Sequence, residues 1–498
     1  HQSAMTIHPE EGIHWPTMIT AVVAITAISI YQQLIMPNMP FLIRSYFPDI
    51  KNEDIGFYAG YMVSLFFLGQ IPGSFLWGWC ADRFGRRKSG ILSTIGNFVL
   101  ILLLGMSKNY YFSLVIRFLH GVADGLLGIS KTMVADLCND SNIAVGTGMI
   151  FVGGAIGGFL GPIIGGYLSD PEVVKPIVKL FPFLSATPYM VPFTVCGLFF
   201  LVLLILFLFV SEETMSQEEI DRMESTKRDM DDKLSALLLR SSEASFSSSE
   251  QLILLFNRHA NYSSVFKNKD LILSVIAYGV CAFNQVSLDT IYPLTLMNNR
   301  AYGGFEMNAV EESWVATFGI VTQLATLVIC PLWVKIHSYR VQLVSSMVLL
   351  GLVTFLEPLV SLYNQERPII QFAVAFFAFA LHVMVRCIAF NISIVLISNS
   401  TYKEFRGTAL GLGQMAGGLC RFLGPFFIPT LFSWSTNVNR FPIHFGFSYY
   451  LMGFITLCAA ALPCFLSSET DAGKGTVYDS VVHKEDKINR SEERRVGK

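Results

Sequence analysis

Gly78-Trp-Cys-Ala-Asp82-Arg83-Phe-Gly85-Arg86-Arg87-Lys88 separates two apolar runs, 58–77 and 91–106. Each run is about long enough to cross a bilayer as a helix. The stretch therefore reads as a tight basic hairpin between two membrane helices, and its four cations predict a cytoplasmic location. Gly78 and Gly85 are expected to allow close backbone approach and a sharp turn. Asp82, at a helix end, can accept from free backbone N–H groups and from Arg. On charge alone such a loop does no more than fix topology.

Working outward, the chain has 498 residues, 52% of them hydrophobic and 14% charged, with 41 Phe. A soluble domain cannot hide that much apolar surface in one core. The expectation is an all-α membrane protein in contact with the lipid bilayer, with no basic stripe for nucleic acid. Twelve spans are expected at 17–42, 55–77, 89–106, 110–134, 144–168, 187–210, 271–297, 314–334, 341–363, 369–397, 407–431 and 446–466. The one long polar connection, 211–270, divides them into an N-terminal bundle, 17–210, and a C-terminal bundle, 271–467. Segments 1–16 and 468–498 flank these, both expected on the cytoplasmic side, where the short loops concentrate Lys and Arg. No basic n-region precedes the first run, so it is expected to stay in the membrane. The nine Cys show no C-x-x-C pair and no Cys/His cluster, so neither a metal nor another cofactor is expected. A nucleotide loop and a nucleophile–base constellation are equally lacking, which argues against an enzyme.

Short strings recur in order across the two halves: Leu119-His120 and Leu381-His382, Gly161-Pro162 and Gly424-Pro425, and Ser211-Glu-Glu213-Thr214 and Ser468-Glu469-Thr470. Together they imply duplicated halves related by an axis along the membrane normal.

Ionisable and amide side chains inside the spans are the candidate pathway, because they are costly against lipid. The first half offers Gln32 and Gln33 with Arg117, His120, Asp124 and Lys131; Arg117, Asp124 and Lys131 are seven apart and share a helix face. From the second half come Asn284, Gln285, Asp289, His382, Arg386 and Arg421. Asp289 could equally be an ordinary helix-end acid, and His382 reads more readily as a packing residue than as a shuttle. Arg117, Lys131, Arg386 and Arg421 against Asp124 and Asp289 leave a surplus of two positive charges, favouring a small solute that is anionic or carries carboxylates. Asp124 is expected to pair with Arg386 across the pseudo-twofold axis in one access state. In span 5, Gly157, Gly161 and Gly165 form one stripe for a neighbouring helix, with a kink at Pro162 and a further Gly166.

The hairpin pattern G-x-x-x-D-R-x-G-R-R-K resembles the signature loop between helices 2 and 3 of the major facilitator superfamily. The span-5 string G-x-x-x-G-P-x-x-G-G and the R-x-x-x-G of Arg117 and Gly121 are similar to motifs of its drug:proton antiporter group. Span 7 around Asn284 and Asp289 faintly resembles the zinc-induced-facilitator-like branch. The resemblance implies two pseudo-symmetric six-helix bundles rocking about a midplane site, secondary active transport, and proton-coupled antiport by a monomer. In that scheme a proton at Asp124 or Asp289 changes the pairing of Arg117 or Arg386. Asp136 is then placed to bond Arg83 or Arg86 and to latch the halves in the outward-facing state. The loop 335–340 lacks a second signature hairpin, which argues against a sugar carrier. A non-transporting sensor on the same scaffold and a proton-independent uniporter are the alternatives. Sorting-like strings at 250–255 and 478–481 point toward an endosomal, lysosomal or vacuolar membrane, with the plasma membrane the other choice.

Overall fold

The computed structural model describes residues 13–139, 142–187, 189–214, 225, 268–334, 337–363, 368–401, 406–440 and 442–472. Both sorting-like strings lie outside these residues. Among the described residues there is no β-strand, and eleven helices are long and apolar enough to cross a membrane. The helix Ala309–Val334 stands in the remaining, eighth position. Only helices satisfy every backbone group within one segment in lipid, which is why so apolar a chain takes this form.

The spans run Trp15–Tyr46, Ile55–Phe84, Arg86–Met106, Tyr110–Ala123 continued by Leu126–Leu137, Ile143–Tyr167, and Met190–Phe209; then Lys269–Met297, Ala309–Val334, Tyr339–Leu356, Pro368–Asn399, Arg406–Val438 and Phe447–Ala459. Three features depart from expectation. The hairpin is shorter, because span 2 continues to Phe84 and the turn is Gly85 alone, at φ +93°. Span 4 is two helices rather than one, broken at Asp124-Gly125. A further helix, Pro171–Leu180, is started by the Asp170 carboxylate accepting from the Glu172 N–H.

Gly85 is required where it stands, because a Cβ there would collide with the Glu213 carboxylate. That carboxylate accepts from the backbone N–H groups of Arg86 and Arg87, capping span 3. The second half repeats the device: the Asp471 carboxylate, just past span 12, accepts from the N–H of Arg340 and from its Nε at 2.6 Å, at the start of span 9. The string that ended span 6 in the sequence thus holds the cap of span 3, and Asp471, directly after the string that ended span 12, caps span 9. Gly78, by contrast, lies inside span 2 with nothing within 4 Å of where its Cβ would be, so the expected close approach does not occur there.

The halves meet at the end of the molecule away from the hairpin, here termed the far side. There Gly60 lets span 2 ride on the Pro425 carbonyl of span 11, and Gly166 of span 5 lies on Ser313 of span 8. Asn437 donates to Asp54 at 2.8 Å and Trp314 to the Tyr167 hydroxyl at 3.0 Å, both across the halves. Toward the hairpin the halves part.

Candidate functional site

Where the halves part, a cavity of about 430 Å³ lies between spans 2, 4 and 11. Its polar lining is Gln70, Ser74, Asp82, Asp124, Lys131, Thr132, Gln414 and Arg421, and it reaches Asp82, whose side chain is 75% exposed. The break in span 4 is what turns Asp124 toward it. Several backbone groups freed there find partners: Trp77 Nε1 donates to the Val122 carbonyl at 2.8 Å, and Ser93 and Asn97 donate to that of Ala123 at 2.7 and 3.1 Å. Ser93 Oγ also accepts from the Gly125 N–H. Because neighbours absorb these groups, an irregular backbone is tolerated at this depth. Gln70 Nε2 donates to one Asp124 oxygen at 3.1 Å, while the other is buried without a partner among the described residues.

Arg421 and Lys131 come from opposite halves and are close enough for their charges to repel. Arg421 donates to the Tyr278 hydroxyl at 3.0 Å and lies over the Phe390 ring. Among the described residues neither cation has a carboxylate partner. A concave, partly apolar site with two unneutralised cations and two acids, one of which, Asp82, is already paired with Arg86, can hold a small anion without covalent chemistry.

The other expected pathway residues fall elsewhere. Arg117 is 2% exposed and sealed inside the first half, donating to the Met62 carbonyl at 3.0 Å and to the Tyr31 hydroxyl at 2.5 Å, with the Phe66 ring beneath it. His120 stacks on Tyr31 at 4.0 Å between ring centroids, and among the described residues neither it nor His382 has a ring nitrogen with a hydrogen-bond partner. Asn284 is a tie rather than a ligand: it donates to Thr354 and Thr456, both at 3.1 Å, joining spans 7, 9 and 12. Gln32 and Gln285 are half-buried and line neither this cavity nor the smaller one described next.

Arg386 does not pair with Asp124 in this state. Its Nη1 lies 2.5 Å from Asp289 within the second half. Asp289 lines a second, far-side cavity of about 30 Å³ with Gln33, Tyr292, Phe379 and Glu312. Glu312 escaped the sequence reading, as did Glu357 within span 9. Both are buried acids that the count of embedded charges omitted, and they offset the surplus of positive charge only when ionised.

At the hairpin, Arg86 Nε meets Asp136 at 3.1 Å and Arg86 Nη1 meets Asp82 at 3.2 Å, whereas Arg83 lies over Trp79. Arg87 donates to the Phe207 and Leu208 carbonyls. Every one of these partners belongs to the first half. In this state, with the hairpin side open, the contact between Arg86 and Asp136 lies within the first bundle. The span-5 stripe packs as expected, with Gly157, Gly161 and Gly165 against the backbone of span 1 at Thr26, Ile30 and Leu34. Pro162 follows Gly161 within that helix.

The sequence profile of the Major Facilitator Superfamily matches residues 17–425. Protein ZINC INDUCED FACILITATOR 1 of Arabidopsis thaliana is 27% identical over 418 residues, 80% of each chain. A probable peptide/nitrate transporter of the same plant is 26% identical over 418 residues, again 80% of each. A solved D-xylose–proton symporter superposes with a TM-score of 0.68 at 15% identity, covering 92% of this chain and 99% of that one. With two six-helix halves closed at one end, a polar cavity open at the other and a family profile spanning most of its length, this chain is a membrane transport protein and belongs to the Major Facilitator Superfamily.

Proposed function

We propose that the protein is a secondary active transporter that moves a small organic anion, or a solute bearing carboxylates, by alternating access in exchange for protons. The observation that carries this reading is the pair Lys131 and Arg421, which face one cavity from opposite halves without a neutralising carboxylate among the described residues. An anion between them offsets their mutual repulsion and draws the halves together on the hairpin side, the motion alternating access needs. With the hairpin cytoplasmic, as its basic residues imply, the state described here is open to the cytoplasm. Exchange rather than co-transport follows if the empty carrier returns only with a proton bound. A proton on Asp124 or Asp289 adds positive charge and favours the anion, so direct competition at those acids does not give exchange. The alternation has to come from the gate.

The test begins with thermal unfolding of the purified full chain against mono-, di- and tricarboxylates. Metal chelates of the same acids belong in the set, since one relative is named for induction by zinc. A carboxylate at about 100-fold its Kd raises the stability by about 2.7 kcal/mol. Arg421→Gln and Lys131→Gln should remove that rise. The stabilising acid is then loaded into proteoliposomes. Efflux driven by an opposed pH gradient supports exchange, efflux indifferent to the gradient indicates a uniporter, and binding without movement indicates a sensor.

A further inference from the structure

Glu312 stands in the first turn of span 8, is 1% exposed, and neither of its carboxyl oxygens has a hydrogen-bond partner among the described residues. It lies in the far-side seam where the halves close. Its neighbour Ser313 fills the notch at Gly166 of span 5, and Trp314 donates to Tyr167. An ionised carboxylate without a donor in such a seam is far costlier than the neutral acid. The enclosure therefore tolerates Glu312 only in its protonated form, whereas far-side water would accept the ion if the seam parted.

The same acid shares the 30 Å³ void with Gln33 and Asp289, a space sufficient for one or two waters with polar groups on three sides. The groups facing it from the surrounding elements are few. Span 7 presents Asp289 and Tyr292, with Arg386 of span 10 held on Asp289 and His382 beside Arg386. Span 5 brings Tyr167 near its neighbour Trp314. Tyr189, ahead of span 6, lies near Glu312 and near Tyr46 and Arg44 of span 1. Glu311 precedes it on its own helix, and Glu357 lies behind Tyr292. None of these donates a hydrogen bond to Glu312.

We infer that Glu312 is the proton-binding group of the far-side gate: protonated, it lets spans 1 and 5 close on spans 7 and 8; on losing its proton through the void toward Asp289, it drives them apart. This rests on the proton-coupled reading above and supplies the alternation that reading requires. The empty carrier, open on the far side with Glu312 ionised, closes only after taking a proton from that side.

The test is hydrogen–deuterium exchange of the full chain in nanodiscs, corrected for intrinsic exchange rates, at residues 160–170 and 305–316. One linked proton changes an equilibrium by at most about tenfold per pH unit, so protection there should fall at least about tenfold between about pH 5.5 and about pH 8. Glu312→Gln should stay protected at both, and Glu357→Gln should respond as the unmodified protein does. If Glu312→Gln fails to assemble, Glu312→Asp is read instead, with a displaced pH midpoint expected and an unchanged one counting against the assignment. A pH response that persists in Glu312→Gln overturns the inference and leaves proton coupling to another group. No response in the unmodified protein overturns the proton-coupled reading, and the inference with it.

Discussion

The Arg386 guanidinium is held 2.5 Å from the Asp289 carboxylate, so the one fully embedded cation of span 10 is neutralised by span 7 rather than by the opposite half. Removing one member of a buried pair strands the other, which typically costs about 3–5 kcal/mol. Asp289 retains some exposure, so Asp289→Asn should lower the stability by ~3 kcal/mol, the lower end of that range. The double variant Asp289→Asn/Arg386→Gln should regain most of it. Thermal unfolding in one detergent reads both, and strictly additive losses would show that the contact contributes nothing.

A second charge is satisfied without any acid. Arg117 relies on the Met62 carbonyl, the Tyr31 hydroxyl and the Phe66 face. Tyr31→Phe leaves one buried N–H unpaired and should cost about 1–3 kcal/mol. In an Arg117→Met background the same change should cost almost nothing, because the group it strands is gone. The double-mutant cycle measures the coupling directly.

These two arginines show what the sequence could and could not disclose. Apolar runs, the basic hairpin and the glycine stripe of span 5 are local patterns, and each reappears as a helix, a capped turn and a seam. Which way a polar residue faces depends on helix rotation, which a single span does not encode. Asn284 turned to a seam and Arg117 to the interior of its bundle, while Asp124, Lys131 and Arg421 turned to the cavity. Glu312 stands just ahead of the apolar run 314–334, and the elements that bury it come largely from the other half, so its own span carries no sign of that burial. The break in span 4 had one visible sign, Gly125, but the donors that make it tolerable come from spans 2 and 3.

Closure of the far side depends on the absence of a side chain at Gly60, where span 2 rests on the Pro425 carbonyl. Gly60→Leu should wedge spans 2 and 11 apart and shift the population toward the state open on that side. A cysteine placed at Ser433, which is buried in the same seam against Gly56 of span 2, reports the change. Labelling by a membrane-impermeant maleimide should quicken about tenfold or more, as a shift of about 1.4 kcal/mol between the two states would give. Unchanged labelling would place the barrier to opening elsewhere.

The position of Asp124 in the cavity rests on Ser93 and Asn97, since both donate to the Ala123 carbonyl and Ser93 also accepts from the Gly125 N–H. Ser93→Ala alone leaves the carbonyl with Asn97 and should cost about 1 kcal/mol, as should Asn97→Leu, which leaves it with Ser93. Removing both leaves the buried Ala123 carbonyl with the bent bond from the Gly125 N–H alone, so the pair should cost more than the two singles together, by about 1 kcal/mol. The distinguishing readout is ligand-dependent. If the break serves to hold Asp124 beside Gln70 and Lys131, the double variant should lose the stabilisation by carboxylates while each single keeps it. If all three variants retain it, the break is only a packing feature of span 4, and the anion site owes nothing to it.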